Sequence, residues 1–468
     1  MLRLTLHGSR KFLALTVLGA IAACLSPASR ASAQIINPFA NVAGVSVDAN
    51  GVLKTQIFSD ATGQLSKQRR EAARAALDPK LATPSKLRKV SLNRLEEAVN
   101  EQIAAGKHPT AEMMYLAGLT RVQYVFCYPD TKDVVIAGPA EGWAEDLSGR
   151  VCGIQTGRPV VELQDLIVAL RAFPPAGRGA ENIGCSIDPT KDGLARLQDY
   201  IHRAPPNGSG PDTERFVAGM KEALGMQNVT VNGVPSDTHF AHVLVEADYR
   251  MKLISIGLER PPISLKSYVD RANPNAVSKN ALQRWYFVPD YQCVRVSDDE
   301  MAMQLVGEGV KLVGADEMVG SNGERQQAAG KGNGAAKAFA DEFTKKYPQL
   351  SAALPIYSQL RNLIDLSVVA AFLQQRDYYG KAGWRMEGFG NESTMPVKTV
   401  NAPKQVETAV NAVWRGSHLM TPIGGGVHIA PHEALSTSNL LKDDSGKVSQ
   451  ARDKVDVKSL AKGRWWWD

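Results

Sequence analysis

Alternating apolar and polar residues in GVSVDANGVLKTQIF, centred on Asn50-Gly51, predict a β-hairpin. QLSKQRREAARAAL from Gln64 and SLNRLEEAVNEQIAAGK from Ser91 then show helical spacing, with Ser91 as N-cap and Gly106 as stop. RVQYVFCY and DVVIAG read as strands separated by the turn Pro129-Asp130-Thr131. The segment from Arg158 to Val234 alternates helices and strands: RPVVELQDLIVALRAF, NIGCSID, PTKDGLARLQDYIHR, DTERFVAGMKEALG with Asp212 as cap, and NVTVNGV. RWYFVPDYQCVRV and VKLVG add strands. KAFADEFTKKY and the long run from Pro355 add helices, the second a core helix by its apolar spacing. Residues from Val397 to Ile429 look β-rich around Gly424-Gly425-Gly426.

The pattern predicts an α/β or α+β fold: mixed sheets with packed helices, a helical N-terminal region, a small β-rich C-terminal region and a disordered tail. The expected segments are 34–118, 119–260, 261–395, 396–436 and the tail 437–468, after an export signal over 1–33. The glycine-rich stretch from Gly320 to Gly334 reads as a mobile loop. It lacks the spacing of a phosphate-binding loop.

The signal consists of Arg3, Arg10 and Lys11, the apolar run FLALTVLGAIAACL, and Ala31-Ser32-Ala33 as a cleavage site. A lipoprotein reading competes, in which Cys24 is acylated and anchors the chain. The later apolar run LIDLSVVAAFL is shorter than the roughly 20 residues a span needs and contains Asp365, so no transmembrane segment is expected after the signal.

Composition, 44% hydrophobic and 22% charged, suits a folded protein. Four basic residues and no acid occupy residues 1–33, so the formal charge of +6 leaves +2 for the rest. No basic stripe interleaved with aromatics is present, and nucleic acid is not an expected partner. Cys127, Cys152, Cys185 and Cys293 permit one or two disulfides or remain buried thiols; no C-x-x-C pair occurs.

The stretch HFAHVLVEADYRMK, His239 to Lys252, holds the densest chemistry. As one helix it would put His239, His242 and Glu246 on one face at ligand spacing. Val243, Leu244 and Val245, after the turn-rich VNGVPSDT, favour instead a strand that turns the two rings apart. Asp248 then caps a following helix. Glu246, Asp248, Arg250 and Lys252 become either a polar binding crevice at a strand end or an exposed charged face, and surface charges being common favours the second. H-E-x-x-H is absent. The remaining metal set is His242 with the distant His418, His428 and His432, for which ordinary surface or core histidines are the default. Trp465, Trp466 and Trp467 dock either on the protein's own surface or on a partner. No cofactor is read from the sequence.

Three segments carry a resemblance: AHVLVEADYRMKLISIGLE (241–259), RWYFVPDYQCVRVSDDEMAMQLVGEGVKLVGADE (284–317) and FADEFTKKYPQLSAALPIYSQLRNLIDLSVVAAFL (339–373). Together they resemble a family of exported planctomycete-type bacterial proteins catalogued only as a domain of unknown function. The likeness implies export and a shared fold, and brings no activity, cofactor or catalytic residue. The expectation is an exported, non-catalytic protein that binds a partner or an envelope component. The alternative is a metal-assisted hydrolase using His242, Glu246 and Asp248.

Overall fold

The computed structural model describes residues 41–60, 62–203, 210–272, 281–319, 325–327, 334–411, 413–415, 418–420, 424–455, 457–458, 460–461 and 463–468. The signal segment, Cys24 and most of the glycine-rich stretch lie outside the described residues. Residues 325–327 of that stretch form a strand.

The architecture is α+β, built on two mixed sheets. The larger has nine strands in the order 41–47, 52–59, 405–407, 226–232, 183–189, 425–429, 281–289, 310–319, 325–327. Its neighbours are antiparallel except 405–407 beside 52–59 and 425–429 beside 281–289. The second has seven strands in the order 441–442, 294–296, 302–305, 124–128, 133–140, 85–91, 466–467. The expected boundaries at 118, 260 and 395 do not divide these sheets, because each draws strands from both sides of them. Residues 36–468 form one compact unit.

Local signals place much of this. The hairpin turns at Asn50-Gly51, where Gly51 takes a left-handed φ of 82°. Ser91 caps the helix Leu92–Ala104 by accepting from the Arg94 amide at 3.5 Å. The helix Gly210–Leu224 begins two residues before the expected cap Asp212. All four described cysteines are buried free thiols. Among the described residues, no helix is long and apolar enough to cross a membrane.

Two expectations are corrected. His239–Ser255 is a single helix of 17 residues, not a strand leading into a helix. Its N-cap is Thr238, whose hydroxyl accepts from the Ala241 amide at 3.3 Å; Asp248 lies in mid-helix. Fourteen of its residues are buried, between the strands 183–189 and 425–429 on one side and the helix Pro355–Gln375 on the other. With most of its residues buried the helix shows little division into apolar and polar faces, so its V-L-V core reads like a strand. Thr238→Ala should lower stability by about 1 kcal/mol through the lost cap, measured by urea unfolding. An unchanged midpoint would remove Thr238 from that role.

The expected disordered tail is docked over its described residues. Trp466 and Trp467 pair antiparallel with Val90 and Lys89, and the Trp465 carbonyl accepts from the Ser91 amide at 2.8 Å. Trp465 and Trp466 are buried. Trp466 packs between the guanidiniums of Arg88 and Arg464, 4.8 and 4.4 Å from its ring centre, and its indole donates to Glu112. Trp465 and Trp466 are thus docked on the protein's own surface.

Candidate functional site

One face of the helix His239–Ser255 presents His239, His242 and Glu246 to a cavity of about 420 Å³. The other walls come from Glu162 and Gln164 at the start of the helix Leu163–Ala172, Arg150 from the hairpin 143–153, and Gln359 from the helix Pro355–Gln375.

His239 is the centre of the cluster. Its Nδ1 lies 2.9 and 3.0 Å from the two Asp165 carboxylate oxygens, and its Nε2 lies 3.8 Å from Glu162 Oε1. Glu162, Asp165 and His239 each offer a ligand atom within 4.8 Å of the others. Burial alone would lower the His239 pKa, but the Asp165 and Glu162 carboxylates overcome it and push it up to about 10. The ring is therefore an imidazolium at neutral pH. Burial, reinforced by the Asp165 charge, raises the Glu162 carboxyl. Gln359 sets its amide 3.5 Å from His239 Nε2 while its carbonyl accepts from Arg150 at 2.8 Å.

Beyond Gln359 a buried chain of charge continues. Arg150 pairs with Glu246, Arg250 lies 3.6 Å from Glu246, and Arg250 holds Glu259 at 2.7 Å. Arg150 and Glu246 of this network line the cavity, and each charge in it is compensated by its neighbour.

His242, one turn on from His239, donates Nε2–H to the Asn401 carbonyl at 2.6 Å, which leaves Nδ1 with the lone pair. Burial lowers its pKa, so the ring is neutral at pH 7.

The four expected crevice residues do not form one open crevice; all are buried. Glu246 and Arg250 join the chain just described. Asp248 and Lys252 face the nine-stranded sheet, 3.1 Å apart, with Lys252 Nζ donating to the Ile187 carbonyl at 2.9 Å. The approach there is close enough to require glycine: a Cβ on Gly425 would lie 2.8 Å from Asp248 Oδ1. The set His242, Glu246 and Asp248 is therefore split, because positions 242 and 248 point to different sides of the helix.

The distant histidines do not gather either. His428 is exposed on the strand Gly425–Ile429, and His432 packs its ring edge-on against Phe173 at 5.7 Å. His418 begins the strand His418–Met420, and its side chain is outside what is described.

Glu162 and Asp165 are the site residues that sequence reasoning missed. They lie 77 and 74 positions before His239, and neither sits in a recognisable motif. Their one local signal is E-L-Q-D at a helix start, which reads as favourable first-turn charge.

No curated protein and no solved structure matches the chain. Residues 185–268 match the model of a family described as "Protein of unknown function (DUF1598)", a span that runs from the strand Ile183–Pro189 through the His239 helix to Tyr268 and leaves Glu162 and Asp165 outside.

Proposed function

We propose that the chain is a binding protein that holds a divalent cation of the zinc type at His239 and Glu162. The observation that carries this reading is the placement of Glu162, Asp165 and His239 within ligand reach of one another, with Glu162 and His239 lining a cavity. The Asp165 carboxylate on Nδ1 orients the ring and leaves Nε2 for a metal, the arrangement that ligating histidines commonly adopt. Nε2 and Glu162 Oε1, 3.8 Å apart, are little wider than the roughly 3.3 Å between ligands of tetrahedral zinc. Remaining coordination positions would face the cavity and its solvent.

The reading replaces the earlier set of His242, Glu246 and Asp248. The contacts of His239 that support it are two carboxylates and an amide. The basic, apolar and small-residue pattern of residues 1–33 supports a location outside the cytoplasm, with cleavage after Ala33 or acylation of Cys24 as the two routes.

Zinc must displace the proton that His239 carries. Below a pKa of about 10, each unit rise in pH should therefore tighten zinc binding about tenfold. Calorimetric titration of the full chain with Zn²⁺ between pH 6 and 8 should give one ion per chain and this slope. Asp165→Asn should weaken binding 10- to 100-fold and His239→Ala should remove it, with melting curves confirming that both variants fold. Zinc binding that is independent of pH, or unaltered in folded His239→Ala, would rule out this site.

A further inference from the structure

Asp248 and Lys252 stand one turn apart on the helix His239–Ser255, with Lys252 Nζ 3.1 Å from Asp248 Oδ2. The Asp248 side chain is fully buried and that of Lys252 is 10% exposed. We propose that these two side chains condense within the folded chain, joining Lys252 Nζ to Asp248 Cγ as an isopeptide bridge across one helical turn. The structure shows the pair before that bond forms, held together by charge.

Three features favour the reaction. The first is confinement. Lys252 Nζ donates to the Ile187 carbonyl at 2.9 Å, and the Gly425 backbone closes over both side chains: a Cβ there would lie 2.8 Å from Asp248 Oδ1 and 3.0 Å from Lys252 Cε. Well-oriented reactants held in this way reach effective concentrations of roughly 10⁵–10⁸ M. The second is dryness. Among the described residues, no group meets the hydrogen-bonding needs of either Asp248 oxygen, and the neighbouring Asp188 and Arg284 pair with each other at 2.6 Å. In such surroundings a carboxylate can take the proton of the ammonium that faces it, leaving a carboxylic acid beside an amine. Burial acts on both groups in that direction, raising the Asp248 carboxyl to about 6 and lowering Lys252. The third is an outlet. A void of about 20 Å³ borders Lys252, Ser255, Trp285 and Gly424, with room for one water.

The atoms balance without a further reagent. The ammonium passes one proton to the carboxylate. The Nζ lone pair then attacks Asp248 Cγ, as desolvated lysines do at other carbonyl carbons. The C–OH bond breaks, and the departing hydroxyl takes a second proton from the nitrogen. One N–C bond forms, one water leaves, and both charges disappear from the interior. This inference is independent of the zinc reading. It uses neither His239 nor Glu162, and the absence of zinc binding would leave it standing.

The test is the mass of the full chain, followed over days at neutral pH and then mapped by tryptic digestion. A fraction that grows with time should be lighter by one water than its residues require. Its digest should hold Glu222–Arg250 joined to Met251–Lys266, uncut after Lys252. Lys252→Arg keeps a cation at this position but offers no amine, and it should retain its full mass. A parent chain that keeps its full mass throughout would overturn the proposal. So would a loss of water that maps to another residue, as when an aspartate cyclises onto its own backbone, or one that persists at Asp248 in Lys252→Arg. The first two of these results are read from the parent chain, so they stand even where the variant does not fold.

Discussion

Asp248→Ala is expected to destabilise the protein by about 3–5 kcal/mol, read from the urea midpoint. The side chain is fully buried in mid-helix, and the Lys252 ammonium 3.1 Å away is nearly as enclosed. Burial raises the Asp248 carboxyl to about 6 and lowers Lys252, so each group is kept charged mainly by the other. Deleting the carboxylate leaves an ammonium with the Ile187 carbonyl as its remaining close partner in a low-dielectric interior. The size of the effect separates two roles, because a helix cap would contribute only about 1 kcal/mol. Asp248→Leu combined with Lys252→Met should recover most of the loss, since removing both charges removes the uncompensated one. The pair also sets a pH dependence. Between pH 3.8 and about 6 the folded chain holds a proton at Asp248 that the unfolded chain has released. Stability from this group is therefore present below that window and falls as the pH rises through it. An Asp248→Ala protein within 1 kcal/mol of the parent would show that the pair is not structural.

Arg88→Met is the second large expected loss, again about 3–5 kcal/mol, accompanied by release of residues 464–468. Arg88 is fully buried in the strand Ser85–Ser91. Its guanidinium donates to the carbonyls of Lys80, Thr83 and Ala117 at 3.0, 3.1 and 2.8 Å. It also holds both Asp468 carboxylate oxygens, at 2.9 and 3.1 Å, and stacks on Trp466. Methionine meets none of these acceptors, and the buried Ala117 carbonyl in particular is costly to leave unmet. Limited proteolysis should cut the variant near Arg464, and tryptophan emission should shift to the red as Trp465 and Trp466 meet water. A tail that stays protected in Arg88→Met would show that strand pairing with Val90 and Lys89 is enough to hold it. The docked tail also reaches the site: Trp466 binds Glu112, in the short helix whose Met114 lines the cavity.

Elements with a local cause were legible in the sequence. Asn50-Gly51 made its hairpin, Ser91 and Gly106 bounded their helix, and the two strands around Pro129-Asp130-Thr131 pair as neighbours. The His239 stretch was not legible, for a physical reason. A helix with most of its residues buried is selected by its neighbours, and three consecutive branched or aliphatic residues satisfy either period. The weak local signal in its favour was Thr238, three residues before Ala241, within a segment whose Pro and Gly pointed to a turn. The site was half legible. His239 and His242 stood out by type, while Glu162 and Asp165 reach them only through packing between the helices Leu163–Ala172 and His239–Ser255. The tail was misread because polar composition outweighed three tryptophans, which find partners in Arg88, Arg464 and the edge of a sheet.

The order of strands in the larger sheet has a consequence for how the chain is made. Strands 405–407 and 425–429 sit between pairs of strands that all precede them in the chain. A nascent chain that has emerged from the ribosome only as far as residue 404 therefore holds three separate sheet fragments, with 52–59, 226–232, 183–189 and 281–289 as bare edges. Such edges invite pairing with other chains. Assembly of this half of the molecule thus waits for almost the whole polypeptide, and it is a late event governed by distant contacts rather than one that proceeds from the first residue onward.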